Sequence, residues 1–223
     1  MDFTKFISLL DNRELWFSRV SELDDPFEGT LSKMSMYLDH AMPGQSEEYD
    51  RIVDIFRETK KKWRKWIIVN CWHLNEYESA AMWRLYIKGD CGIAIQSTFD
   101  RLTRSFEAYS DESVYIGQVR YEDFDIVKMS VNFPPLVCTY KRKSFQHEQE
   151  LRALIIGLEK GGDLDAEPTF KGLSIPVDLD TLIERIYVAP QLGEWAHDLV
   201  KSVMSKYGLD KQVEHSSLDD VPL

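Results

Sequence analysis

Lys141-Arg142-Lys143-Ser144-Phe145-Gln146-His147-Glu148-Gln149-Glu150-Leu151-Arg152 runs directly into Ala153-Leu154-Ile155-Ile156, and this junction of a charged tract with an apolar one decides how the chain is read. Residues 150–156 have the pattern of a strand, in which alternate side chains share a face. Glu148, Glu150 and Arg152 fall on one side, and Leu151, Ala153 and Ile155 on the other. Leu154 and Ile156 then join the side that carried the charges. A face that turns from ionic to apolar within one strand points to a polar end opening into a cleft. Two carboxylates beside an arginine can tune each other for acid/base work or stabilise a cationic transition state. The same residues also fit a surface edge with a structural Glu–Arg pair.

Outward from this strand, residues 66–73 read as a second one, apolar on both faces as a covered central strand requires. Strands are also expected at 15–18, 92–96, 114–121, 136–140, 174–177 and 185–188. A short edge strand around Gln212-Val213, ending by His215, is the alternative to an irregular tail over 209–223. Helical spacing predicts helices at 3–10, 47–65, 78–87, from a Ser97 or Thr98 cap to 108, and over 195–207. Residues 31–46 are expected to be irregular. Six or seven strands with four or five helices, mixed rather than strictly alternating, indicate an α+β fold with one mixed sheet. No linker-like tract divides residues 1–223, so one domain is expected.

The bulk properties set limits. Of 223 residues, 43% are hydrophobic and 12% aromatic, enough for a core and too many for a disordered chain. Cys71, Cys91 and Cys138 are odd in number and widely spaced, which suits reduced thiols in the cytoplasm. No apolar run approaches the ~20 residues of a membrane helix. The net charge of −11 disfavours generic adhesion to nucleic acid or anionic lipid. It leaves room for local basic patches.

Four further groups carry chemical potential. Asn70-Cys71-Trp72-His73 puts Cys71 and His73 on one strand face, a Cys/His nucleophile arrangement or a buried thiol beside a hydrogen-bonded histidine. Ser79-Ala80-Ala81-Met82-Trp83-Arg84-Leu85-Tyr86 offers Trp83 or Tyr86 to a planar ligand ring, or both to a core. Asp24-Asp25-Pro26-Phe27-Glu28-Gly29 is a turn in which Asp25 or Glu28 can hold a ribose hydroxyl or a cation. Arg57, Lys60, Lys61, Lys62, Arg64 and Lys65, interleaved with Trp63 and Trp66, read as a solvated helix face or as an RNA or phosphate surface. The five histidines are scattered without a metal-ligand motif, so no metal is expected.

Taken together, these stretches resemble the bacterial family called domain of unknown function 2971. The resemblance rests on Leu15-Trp16-Phe17-Ser18-Arg19 with Asp25-Pro26-Phe27-Glu28-Gly29, on Asn70-Cys71-Trp72-His73 with Glu78-Ser79-Ala80-Ala81-Met82-Trp83, on Gly92-Ile93-Ala94-Ile95, and on Lys141-Arg142 through Glu148-x-Glu150-x-Arg152. The order is the family's and spans most of residues 1–155. Its members often carry one more strand, with an aromatic and a basic residue, just before the segment that begins here at Asp2. The family implies no mechanism.

By layout alone, a Glu-x-Glu entering a strand is similar to ADP-ribosyltransferase-type toxins, which expel nicotinamide from NAD through an oxocarbenium-like state. That likeness implies Glu150 as the catalytic carboxylate with Glu148 assisting. It implies Trp83 or Tyr86 against nicotinamide, and Arg142, Lys141 or Arg84 on the pyrophosphate. Arg152, His73, Asp25 and Glu28 would complete the substrate site, with NAD as a substrate and no permanently bound cofactor. The expectation is therefore an NAD-directed transferase or glycohydrolase in a toxin or phage-defence setting. Its rivals are a nucleotide- or RNA-binding module using residues 57–65, and a Cys71/His73 hydrolase.

Overall fold

A computed structural model describes residues 1–38, 58–59, 61–87, 91–129, 133–158, 162–190 and 192–219. The fold is α+β, as the strand and helix patterns required. Among the described residues there are ten strands, shared among sheets of five, three and two, where one sheet of six or seven had been expected. The chain falls into two compact units, each assembled from separate segments. Unit 1 comprises Met1–Leu15, Asn75–Ser110 and Ser174–Leu223, and unit 2 comprises Trp16–Leu74 and Asp111–Leu173. Because both units are discontinuous, no linker-like tract marks a boundary in the sequence.

Unit 2 is organised on the five-stranded sheet. Its strands are β1 (Glu14–Arg19), β2 (Ile67–His73), β4 (Tyr115–Gln118), β7 (Glu150–Ile156) and β8 (Gly172–Pro176), in the order β4-β7-β2-β1-β8. The unit boundaries fall inside β1 and β8. β2 and β7 pair antiparallel over seven positions, from Ile67 opposite Ile156 to His73 opposite Glu150. Both are central strands. Ile67, Ile68, Val69, Ala153, Leu154 and Ile155 are buried, which explains why each reads as an almost continuous apolar run. Gly172 is required where β8 meets β1, since a Cβ there would stand 2.3 Å from the Phe17 carbonyl oxygen.

Residues 114–121 do not form one strand. They divide into β4 and β5 (Arg120–Glu122), and β5 pairs in parallel with β6 (Tyr140–Arg142) to make the two-stranded sheet. The strand expected at 136–140 is displaced by a helical turn over Pro134–Val137 with proline at its first positions, where a fixed φ and a missing N–H suit a helix start. Part of the stretch expected to be irregular, Lys33–Leu38, is a short helix. Of the helix expected at 47–65, residues 58–59 and 61–65 are helical, and the remainder, including Arg57 and Lys60, lies outside the described residues.

Unit 1 carries β3 (Ile93–Gln96), β9 (Arg185–Val188) and β10 (Gln212–His215) in the order β10-β9-β3. β10 is the short edge strand that the tail allowed, parallel to β9. Helix α1 (Phe3–Asn12) is capped by Asp2, whose carboxylate accepts from the Lys5 N–H, and buries Phe6, Leu9 and Leu10. The helix Ala80–Tyr86 is capped by Ser79, and Phe99–Arg104 by Thr98, four residues shorter than its periodicity indicated. A longer helix, Glu194–Lys206, buries Ala196, Val200 and Met204. No described helix is long and apolar enough to cross a membrane.

Candidate functional site

The β2–β7 register builds the candidate site. Opposed residues of an antiparallel pair share a face, so Cys71 opposite Arg152 and His73 opposite Glu150 place four polar side chains on one side of the sheet. Along the same face come Val69 opposite Leu154 and Ile67 opposite Ile156; Ile67, Val69 and Leu154 pack with Val20 and Cys138 in an apolar cluster. The change from ionic to apolar is therefore present on both strands. Its polar end is covered rather than open: Arg152 is 0% and Glu150 4% exposed.

Covering the ionic end are the 24–29 turn, β6 and the 3-10 helix Lys143–Glu148. Glu148 is not part of the strand. It closes that helix, and Gln149 takes a left-handed conformation with φ of 40° before β7 begins. Lys141 Nζ donates to Glu150 at 2.7 Å and to Glu148, and forms an ion pair with Glu28 at 3.1 Å. The guanidinium of Arg152 donates through Nε to the other Glu150 oxygen at 2.6 Å and through Nη1 to the Cys138 carbonyl at 2.7 Å, and it also pairs with Glu28. The Tyr121 hydroxyl accepts from the Glu150 N–H at 2.7 Å.

The charges do not balance within this core. Lys141 and Arg152 face three carboxylates, Glu28, Glu148 and Glu150. Burial would push Glu150 up, but Arg152 and Lys141 outweigh burial and hold its carboxyl well below the usual range. Glu148 is the surplus carboxylate. Burial, reinforced by its hydrogen bond with Glu150, pushes it up to about 7 despite Lys141. Burial pulls the Lys141 ammonium down, and the surrounding carboxylates more than restore it. Tyr121 is pushed up to about 12, mainly by burial.

At the margin stands a second pair. Arg142 donates from Nε and Nη2 to the two oxygens of Asp25 at 3.1 and 2.8 Å. Its guanidinium lies 4.4 Å from the Phe27 ring centroid and 5.4 Å from that of Phe145. Asp25 is buried, but the Arg142 side chain is 37% exposed. Two of the five guanidinium N–H groups are spent on Asp25, so the fixed cation keeps donors for another anion.

His73 donates from Nδ1 to the Glu148 backbone carbonyl at 2.6 Å, since a carbonyl can only accept. Its buried Nε2 therefore carries the lone pair and has no partner among the described residues. Although part of the Cys71 residue reaches solvent, burial of its thiol, reinforced by the Glu150 and Glu28 carboxylates and only partly offset by Arg152, pushes it well above the ordinary value. Such a thiol is neutral at physiological pH, the wrong form for a nucleophile.

The structure thus gathers Asp25, Glu28, His73, Lys141, Arg142, Glu148, Glu150 and Arg152 within unit 2. Lys141, Arg152, Asp25 and Glu28 are buried in ion pairs, which removes them from the solvent-facing positions a substrate site needs. Trp83, Arg84 and Tyr86 belong to unit 1, on Ala80–Tyr86, where the Trp83 indole donates to Glu78 at 3.2 Å. In the basic helix, Lys61 pairs with Glu58 at 2.6 Å, Lys62 with Asp165 and Lys65 with Glu167. Sequence reading missed Phe27 and Phe145 as platforms for Arg142. It also missed Tyr121, which had no signal beyond being an aromatic residue in a strand.

Comparison with family models, curated proteins and solved structures finds no match to the chain. The likeness to the domain of unknown function 2971 family therefore rests on the quoted motifs alone.

Proposed function

We propose that unit 2 carries an acid/base site for a nucleotide, with NAD as the leading substrate, in which Glu148 moves the proton. The observation that carries this reading is the surplus of one carboxylate over the cations in the buried cluster, with the extra group at its least buried member. Glu148 retains 14% side-chain exposure, and a carboxyl group near 7 is matched to proton transfer at neutral pH. Glu150, saturated by Lys141 and Arg152, becomes a positioning residue that sets the Glu148 proton affinity. Arg142, clamped by Asp25 and stacked on Phe27 and Phe145, is the candidate phosphate ligand.

In such a reaction the ribose–nicotinamide bond breaks and nicotinamide leaves as a neutral base with the bonding electron pair. Water or an acceptor hydroxyl attacks the oxocarbenium carbon, and the proton it loses passes to the Glu148 carboxylate. The deprotonated form of Glu148 is then the active one. His73 Nε2, a lone pair on the same sheet face, is a second proton acceptor for this step.

A second reading, a purely structural ion cluster, is favoured by the complete burial of Arg152. Paired lysines weigh against the RNA-binding alternative, and the neutral thiol weighs against the Cys71 hydrolase. Incubation of the purified chain with NAD separates the two remaining readings. The enzyme releases nicotinamide, and Glu148→Gln lowers release by at least ~100-fold while leaving the circular dichroism spectrum unchanged. A folded protein that releases no nicotinamide sinks the catalytic reading in favour of the structural one.

A further inference from the structure

Unit 1 brings together two histidines that are distant from any motif in the sequence. Glu194 and His197 lie three residues apart in the first turn of the helix Glu194–Lys206, on one face. His215 ends β10, in register with Val188 of β9. The His197 and His215 rings stack with centroids 5.0 Å apart and planes 20° apart. Glu194 Oε2 is 3.5 Å from His215 Nε2, and one donor atom from each of the three residues lies within 4.8 Å of the others.

Hydrogen bonding fixes which nitrogen of His197 is available. Its Nε2 is 3.0 Å from the Val213 carbonyl oxygen, so Nε2 carries the hydrogen and Nδ1 keeps the lone pair. That Nδ1 is buried without a hydrogen-bond partner among the described residues, and so is His215 Nε2. The nearest carboxylate oxygens, Asp198 Oδ1 at 3.5 Å from His197 Nδ1 and Glu194 Oε2 beside His215, cannot donate. At His197 Nδ1 acceptor therefore faces acceptor, a conflict that a cation relieves, and the tautomer with its hydrogen on Nδ1 presents a matching lone pair from His215 Nε2. A ring held by a backbone carbonyl through one nitrogen, with the other nitrogen facing carboxylates, is the arrangement that metal-ligating histidines use.

We propose that Glu194, His197 and His215 form a site for a late first-row divalent cation, zinc by preference. Imidazole and carboxylate donors suit that class. Zinc–ligand bonds of about 2.0–2.1 Å put neighbouring tetrahedral donors ~3.4 Å apart, and the Glu194–His215 edge already has this spacing. Coordination requires the two rings to turn out of their parallel stack so that both lone pairs meet one ion. Glu194, 85% exposed on its side chain, is free to follow. The positive end of the helix dipole opposes a cation here, and Glu194 with Asp198 supplies the compensating charge. Three protein ligands leave a fourth position for water or for Asp198. The bound ion would tie the start of this helix to the end of β10.

The test is calorimetric titration of the chelator-treated full chain with zinc alone, alongside the visible spectrum of the cobalt-loaded protein. One equivalent binds with sub-micromolar affinity, cobalt gives a tetrahedral spectrum, and zinc raises the melting temperature. His197→Ala and His215→Ala each weaken binding by at least ~100-fold, and Glu194→Gln by ~10-fold. No saturable single-equivalent binding, or affinity unchanged in the histidine variants, overturns the site. Should those variants fail to fold, Glu194→Gln decides, because a change at so exposed a side chain leaves the fold intact and undiminished affinity refutes the proposal.

Discussion

Arg152 and Glu150 stand two residues apart on β7, joined at 2.6 Å, and neither side chain reaches solvent. Adjacent positions on one strand face point the same way, so the pair forms without any long-range closure of the chain. The Cys138 carbonyl then accepts from Nη1 and Glu28 forms an ion pair with the Nη2 end of the guanidinium, tying the 24–29 turn and the segment before β6 to the central strand.

Arg152→Met leaves Glu28 and Glu150 buried with one cation fewer. Breaking a buried pair by removing one partner typically costs about 3–5 kcal/mol. Urea denaturation is expected to show a loss of that order. A variant as stable as the parent would mean that the cluster does not hold the sheet together.

Glu148 predicts an unusual pH dependence. Its ordinary value is 4.5 and its folded value about 7, so between these limits the folded chain binds more protons than the unfolded one. This group's contribution to stability therefore falls as pH rises from about 4.5 to 7. Glu150, shifted the other way, contributes stability above its unfolded value that is lost on acidification. Glu148→Gln is expected to match the parent near pH 5 and to exceed it at pH 8 by roughly 1–3 kcal/mol. Chemical denaturation at the two pH values measures the difference. For the proposed reaction, the same group predicts nicotinamide release that rises with pH through about 7.

The Cys71 thiol is buried and held neutral, so its alkylation by iodoacetamide at pH 7.5 is expected to run at least ~10-fold slower than that of a model thiol. Peptide mass spectrometry gives the site-specific rate. Fast labelling would restore Cys71 as a nucleophile.

Gly172→Ala places a methyl group against the backbone of Phe17 and the ring of Trp16. Backbone cannot yield as a side-chain tip does, and overpacking of this kind costs about 1–3 kcal/mol or more. The melting temperature is expected to fall accordingly.

Much of this was legible because it was local. The apolar runs of β2 and β7, the Thr98 cap and the α+β class follow from spacing and side-chain chemistry along short stretches. The ionic-to-apolar switch at Arg152–Leu154 was also readable from alternation. What it could not reveal was the cover. Asp25 and Glu28 reach the cluster from over a hundred residues away, and only the tertiary fold turns an apparent cleft edge into a buried network. β7 begins at Glu150 as expected, but the left-handed turn at Gln149 breaks the alternation that placed Glu148 on the same face as Glu150 and Arg152. The pairing of Lys62 with Asp165 and of Lys65 with Glu167 was equally invisible, which made the basic helix look more available than it is. Trp83 and Glu150 sit within one motif series in sequence and in different units in space.

The segmented make-up of the two units sets an order on biosynthesis. By the time Leu173 leaves the ribosome, every piece of unit 2 has been delivered. Unit 1 still lacks its third segment then, so β9, β10 and the helix between them are yet to be translated. Met1–Leu15 and Asn75–Ser110, joined to each other through the Asp2–Gly92 bridge, complete their unit only when that last segment arrives.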